Sequence, residues 1–281
     1  MKFALFANET KGQALDVLKG VSHYLAELGD EVVLEQAGFG ASFDLKSVHK
    51  ILGGCDFVVC IGGDGSILSL VHRIGIPHPP IIGVNLGSLG FLADIPAHDI
   101  FGGFEAIHRG AYHVYDRLVI EGDVSGSFHH FAVNEIAIHR GTEPHLVDLA
   151  IHVDGQFVNT FSADGVIIST PSGSTAYSLA AGGPIVTPTL PVLILTPICP
   201  HTISNKPIVL MPKESLSVEL WHGAKSVDVA FDGQPTERLS LGKALEVCTS
   251  ASTFKLVTLS TSDFFTTLRT KLGWTGSLRR K

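Results

Sequence analysis

The first third of the chain alternates short apolar runs with stretches whose apolar residues recur every three or four positions. "FALFA" (3–7) reads as a buried strand, and Leu15, Leu18, Val21, Leu25 and Leu28 then fall at helical spacing within 12–28. Gly29 marks the helix stop, and "EVVLE" (31–35) is the next strand. Leu45, Val48 and Leu52 share one face of a short helix over 44–52, and "FVVCI" (57–61) is a third strand. Ile67, Leu70, Val71 and Ile74 return to helical spacing before a fourth strand, "IIGVN" (81–85). Strands interleaved with helices predict an α/β domain: a Rossmann-like, mostly parallel sheet covered on both faces.

The pattern changes near residue 112. "LAIHVDGQFVNTF" (149–161) places two alternating runs around Asp154-Gly155, a hairpin signal. "SLSVELW" (215–221), "SVDVAF" (226–231) and "ALEVCTS" (244–250) also alternate. These predict a β-rich, antiparallel, sandwich-like second domain. Phe264, Phe265, Leu268 and Leu272 regain helical spacing near the C-terminus. The expected division is an α/β domain over 1–112, a β-rich domain over 113–260, and a segment over 261–281 that returns to the first domain.

Composition narrows the class. With 281 residues, 45% hydrophobic and 17% charged, the chain has ample material for two cores. A net charge of -7 argues against nucleic acid as the main partner. The basic residues at 279–281 read as a solvated tail. Cys55, Cys60, Cys199 and Cys248 form no CxxC pair, and buried reduced thiols are expected rather than disulfides. Met1 leads into a short apolar run and then polar residues, which does not read as a secretory signal. The longest apolar stretch, 184–200, is broken by prolines and is no membrane span. A cytoplasmic protein is expected, with no membrane partner.

The chemistry concentrates in glycine-rich turns. Gly62-Gly63-Asp64-Gly65-Ser66 stands between a strand and a helix, where free backbone N–H groups and the helix dipole attract anions. Ser66 is a candidate N-cap. Neither Walker A nor GxGxxG is present. A tight turn with Asp64 capping the helix would explain the segment, yet one glycine suffices for a turn. A carboxylate beside phosphates repels them unless it meets a metal ion or accepts the proton of an attacking hydroxyl. The turn therefore points to a kinase acting on an alcohol, with Gly62, Gly63, Gly65 and Ser66 cradling a polyphosphate.

Gly87 and Gly90 make a second turn after the fourth strand, with Phe91 either walling a pocket or filling the core. In "FAVNEIAIHRG" (131–141), strand alternation would put Val133 and Glu135 on one face and Asn134 on the other. Asn134 can read an adenine edge, and Glu135 can accept from two ribose hydroxyls. "TPSGSTAY" (170–177) is dense in hydroxyls, and "STAYSLAAGG" (174–183) reads as a short helix with a glycine stop. Asp164-Gly165 resembles the arrangement at Asp64 or is an ordinary turn. Among 14 histidines, the adjacent His129 and His130 would point to opposite strand faces, and no metal-ligand spacing is found.

Four blocks in order resemble the NAD kinase family: "GGDGS" (62–66), "NLGSLGFL" (85–92), "NE" (134–135) and "ADGVIISTPSGSTAYSLAAGGPIV" (163–186). "PHTISNKPIVL" (200–210) and "DGQ" (232–234) add to it. The resemblance implies ATP- or polyphosphate-dependent phosphorylation of the 2′-hydroxyl of the adenosine ribose of NAD, giving NADP, with Mg²⁺. It also implies a homodimer or homotetramer. It makes Asp64 the proton acceptor and ribose contact, with Gly65 beside it and Phe91 lining the pocket. It assigns Asn134 and Glu135 to the adenine and ribose end, and Thr175, Ala176 and Tyr177 to the adenine and nicotinamide sides. Asp164 would meet the nicotinamide end from a neighbouring subunit. Ala180 stands where the family often has serine, and Lys206 where it often has arginine, losing a bidentate fork. A lipid or sugar kinase sharing the GGDG turn, or a non-catalytic dinucleotide sensor, is the alternative reading.

Overall fold

The computed structural model describes residues 1–38, 45–87, 89–124, 126, 130–142, 144–211 and 215–276. His129 and the basic residues at 279–281 lie outside the described residues. The chain forms two units, one of Met1–Asp116 with the chain from Phe254 onward, the other Arg117–Thr253.

The first unit opens with β1 (Lys2–Ala7), α1 (Ala14–Glu27), β2 (Glu31–Ala37), α2 (Leu45–Leu52), β3 (Phe57–Gly62) and α3 (Asp64–Ile74). β4 (Ile81–Asn85), β5 (Ile95–Pro96), α4 (Ile100–His108) and β6 (Tyr112–Arg117) follow. The sheet order is β2-β1-β3-β4, continued by a late strand and then β6, with β5 on β4. β1 pairs in parallel with both β2 and β3, and β3 with β4. Ala14, Leu18, Val21 and Leu25 form the buried stripe of α1 and pack with Phe3, Leu5, Ala7, Val59 and Ile61 and with Phe104 of α4. The alternate positions Ala4, Phe6, Val58 and Cys60 are equally buried, which is why β1 and β3 read as unbroken apolar runs. The helix α4 has no counterpart in the sequence expectations above; its buried residues, Ile100, Gly103, Phe104 and Ile107, include a glycine that dilutes the apolar period.

The second unit begins with β7 (Ile120–Asp123), β8 (His130–Ala132), β9 (Glu135–His139), β10 (Val147–Val153), β11 (Gln156–Ala163) and β12 (Gly165–Ser169). A one-turn helix, α5 (Tyr177–Ala180), then precedes β13 (Leu193–Ile198), β14 (Ile208–Leu210), β15 (Leu216–His222), β16 (Ser226–Phe231), β17 (Gln234–Ser240) and β18 (Ala244–Thr249). Two antiparallel sheets result, ordered β11-β10-β15-β18-β7-β8 and β14-β13-β12-β9-β16-β17. Alternate residues of both, such as Leu149, Ile151, Val218 and Val247 from one and Ile136, Ile138, Val166 and Val229 from the other, fill a common core. Asp154 (φ 49) and Gly155 (φ 75) close the β10–β11 hairpin in the left-handed region, as the Asp-Gly pair predicts.

The chain re-enters the first unit as β19 (Phe254–Leu259), which pairs in parallel with β4, and ends in α6 (Phe264–Leu272). Asp263 caps α6, accepting from the N–H groups of Phe265 and Thr266, and Gly273 (φ 64) stops it.

Candidate functional site

In the first unit the chain leaves β1 for β2 on one side and reaches β3 on the other. The carboxyl ends of β1 and β3 therefore flank the point where strand order reverses, the position at which open α/β sheets bind ligands. Asn8 follows β1 there, and its N–H donates to the carbonyl of Ile61 on β3 (2.9 Å). Its side chain donates to Ser66 Oγ (2.8 Å) and accepts from the backbone N–H (3.1 Å) and hydroxyl (2.7 Å) of Thr10.

Gly63 is the N-cap of α3 with extended backbone, φ 171, and makes no side-chain cap. The helix starts at Asp64, so Ser66 is not the N-cap expected from sequence. Ser66 is buried in the first turn, and its N–H donates to Gly63 O (2.9 Å). A Cβ on Gly62 would lie 2.2 Å from Ser66 Oγ. That glycine is thus explained by the close packing of strand end and helix. Gly65 has open space around it.

Asp64 does not cap its own helix either. Its Oδ2 accepts from the N–H of Phe91 (2.8 Å), and its Oδ1 from those of Leu92 (3.0 Å) and Ala93 (2.9 Å). The carboxylate is gripped by consecutive amides of the second glycine turn. Gly90 allows the approach, since a Cβ there would stand 2.0 Å from Oδ1. Asn85 shapes the same turn, accepting from the N–H of Gly87 through Oδ1 (2.9 Å).

These residues wall a cavity of about 470 Å³ lined by Asn8, Thr10, Lys11, Gly62 to Ser66, Asn85 to Gly87, Gly90 and Lys271. All the cradle residues named from sequence, Gly62, Gly63, Gly65 and Ser66, come together here with Asp64. Phe91, expected to line the pocket, is not among the lining residues; its ring lies 5.8 Å from that of Phe264 and 5.1 Å from Lys271 Nζ. Sequence reasoning missed Asn8, Lys11, Asn85 and Lys271. The first three follow β1 or end β4, and the rule that ligands sit at carboxyl strand ends would have found them.

In the second unit Val133 and Asn134 are not strand residues. They form a bend where the chain passes from β8 in one sheet to β9 in the other. The alternation expected across 133–135 therefore does not hold. The bend is held by Asp232, whose carboxylate accepts from the N–H groups of Val133 (2.8 Å), Asn134 (2.7 Å) and Glu135 (3.1 Å). Asp232 (φ 48) and Gly233 (φ 77) make the tight turn between β16 and β17.

Glu135 pairs with Ser169 of β12 and shares a sheet face with Ala137, on the side opposite the common core. It is only 7% exposed. Burial pushes its carboxyl up to about 7, the nearby Asp232 carboxylate adds to the rise, and the backbone N–H of Tyr177 opposes it. Its Oε2 has no hydrogen-bond partner among the described residues. Residues 173–175 form a 3₁₀ turn leading into α5, and Gly182 (φ 90) follows α5. Thr175 donates its hydroxyl to Ser172 O (3.2 Å), and Ala176 its N–H to Gly173 O (2.9 Å). Tyr177 is exposed, and partial burial, then Cys199, Asp164 and Glu135, raise its phenol above the usual range. Asp164 accepts from Arg140 Nε (2.6 Å), an ion pair with no equivalent at Asp64 among the described residues. Among the described residues no three His, Cys, Asp or Glu side chains converge to hold a metal ion.

Residues 3–112 match the ATP-NAD kinase N-terminal domain family, and residues 133–259 match the ATP-NAD kinase C-terminal domain family. The NAD kinase of Protochlamydia amoebophila (strain UWE25) is 49% identical, over 98% of this chain and 99% of that protein. The NAD kinase of Caldanaerobacter subterraneus subsp. tengcongensis is 36% identical, over 96% and 98%. Among solved structures, yeast NADH kinase complexed with NADH superposes with a TM-score of 0.83 at 26% identity, over 100% of this chain and 90% of that one. An NAD kinase from Archaeoglobus fulgidus in complex with ATP gives 0.75 at 27%, over 98% and 100%.

Proposed function

The chain belongs to the NAD kinase family, and from that premise we propose that it transfers a phosphoryl group from ATP to the 2′-hydroxyl of the adenosine ribose of NAD, with Asp64 as the proton acceptor. The observation that carries this is the grip of the Phe91–Ala93 amides on the Asp64 carboxylate at the wall of the glycine-turn cavity. A carboxylate offers about four lone-pair sites. Oδ1 already accepts from two N–H groups and Oδ2 from one. Oδ2 therefore keeps a lone pair, and it is the atom that takes the proton. As the ribose oxygen bonds to the γ-phosphorus, the bond to ADP breaks and the hydroxyl proton passes to Oδ2. Fixing the acceptor by rigid amides removes the reorganisation that a mobile side chain would need at that moment.

The donor's phosphates lie along Gly62, Gly63, Gly65 and Ser66, at the N-terminus of α3, where backbone N–H groups and the dipole favour anions. Asn134 and Glu135 hold the adenine and ribose end of NAD. Thr175, Ala176 and Tyr177 line its two ring systems, and Asp164 serves the nicotinamide end from a neighbouring subunit of a homodimer or homotetramer. The described residues form no cage for Mg²⁺, and three of the Asp64 lone pairs are spent on N–H groups. The ion accordingly comes with the donor's phosphates. The free cysteines, Cys199 and Cys248 exposed among them, suit a reducing cytoplasm. No helix among the described residues is long and apolar enough to cross a membrane.

The test is purified protein with NAD, Mg²⁺ and either ATP or polyphosphate, with NADP read by an NADP-specific dehydrogenase. NADP formed in step with ADP is expected. No NADP at high enzyme concentration overturns the reading. Light scattering that finds only monomers overturns the shared role of Asp164.

A further inference from the structure

The glycine-turn cavity has a second wall that comes from the far end of the chain. Lys271 lies in the last turn of α6 and lines the cavity together with Lys11, from the loop after β1. Its ammonium stands 5.1 Å from the centroid of the Phe91 ring, a cation–π contact. Phe91 is the residue whose N–H holds Asp64 Oδ2. Among the described residues neither lysine is ion-paired, although Asp64 lines the same cavity; its carboxylate is engaged by backbone amides instead. Both lysines line the same cavity of about 470 Å³ as Gly63 and Asp64 at the N-terminus of α3, which is room for a chain of phosphates.

We propose that Lys271, with Lys11, is a donor-binding residue that holds the phosphates of ATP in the glycine-turn cavity and neutralises their charge beside Asp64. The proposal rests on the kinase reading above and deepens it. It resolves the electrostatic problem posed by the acidic turn: a polyphosphate is tolerated next to Asp64 because cations from the two ends of the first unit's sequence converge on it. The Phe91 ring aligns the ammonium at the cavity wall. The helix α6 is suited to carry it, being closed at one end by the Asp263 cap and at the other by Gly273. The alternative is that Lys271 only complements the dipole at the C-terminus of α6.

Calorimetric titration of ATP, and separately of NAD, into the full-length protein and its Lys271→Met, Lys271→Arg and Lys11→Met variants distinguishes the two. Loss of a charge-assisted contact predicts ATP binding weakened by about tenfold or more in Lys271→Met. NAD affinity and melting temperature stay unchanged, Lys271→Arg recovers most of the loss, and Lys11→Met repeats it. Unchanged ATP affinity in Lys271→Met overturns the proposal. So does a parallel loss of ATP affinity, NAD affinity and thermal stability, which would mark a purely structural lysine. A wild-type protein that binds no ATP overturns it as well. If ATP binding depends on Lys271 but no NADP is ever formed, the donor site stands and the kinase reading falls.

Discussion

Asp64 and Gly90 approach so closely that a methyl group on Gly90 would stand 2.0 Å from Asp64 Oδ1. The glycine is there for the aspartate. Gly90→Ala forces either the carboxylate or the amides of Phe91–Ala93 out of place. Small displacements of a reacting group cost about 10²-fold in rate. Turnover is expected to fall by that order, with a loss of stability of about 1–3 kcal/mol. Steady-state kinetics with a urea melt checks both, and wild-type turnover would show that the contact does not hold the acceptor in place.

Asp64→Asn is expected to keep the fold and most NAD binding while lowering turnover by about 10²–10⁴-fold, the range for removal of a general base. The amide retains one acceptor oxygen where the carboxylate used both for N–H groups. At least one backbone donor therefore loses its partner, at about 1–3 kcal/mol. Measuring stability and turnover on the same preparation separates the two effects. Near-normal turnover removes Asp64 from the chemistry.

Glu135 carries a pH dependence whose sign follows from its raised carboxyl, moved from 4.5 to about 7. In the native state it holds its proton more tightly than in the unfolded chain. Stability is therefore lost as pH rises from 4.5 to about 7, and the deficit persists above that. Glu135→Gln is expected to be more stable than wild type at pH 8 by up to roughly 3 kcal/mol. The two should converge near pH 5. A role in accepting from ribose hydroxyls needs the carboxylate, so the KM for NAD should rise below about pH 7 in the wild type and stay flat in the variant. Parallel pH profiles in the two proteins would rule this out.

Asp232→Ala leaves the N–H groups of Val133, Asn134 and Glu135 without the carboxylate that they share. A loss of about 3 kcal/mol or more is expected, since unsatisfied part-buried donors cost about 1–3 kcal/mol each. Asp232→Asn should cost less, because asparagine tolerates the left-handed backbone (φ 48) and keeps one acceptor. Equal urea midpoints for the alanine variant and the wild type would show that the bend is held by other contacts.

Local order was legible in the chain because it is written in local spacing. The strands at 3–7, 57–61 and 81–85, the Leu18, Val21 and Leu25 positions of α1, the Asp154-Gly155 hairpin and the glycine stop after α5 all depend on residues within a few positions of one another. Leu15 and Leu28, expected on the same stripe, are instead exposed, and Ala14 is buried in their place. The same local reading assigned Ser66 a cap it does not make, and extended a strand through the bend at Val133–Asn134.

What the sequence determined alone is the inventory: an α/β half, a β half, a glycine turn with one aspartate, and blocks that assign the chain to its family. What only the tertiary structure decided is which distant residues meet. Gly90 and the amides of Phe91–Ala93 close on Asp64, Asp232 closes on Val133–Glu135, β19 joins the sheet beside β4, and Lys271 arrives beside Lys11. The physical reason is that a periodic pattern records which face of an element is buried, not what it is buried against. Partners that meet through backbone amides leave no trace in side-chain identity, because every residue except proline carries the same N–H.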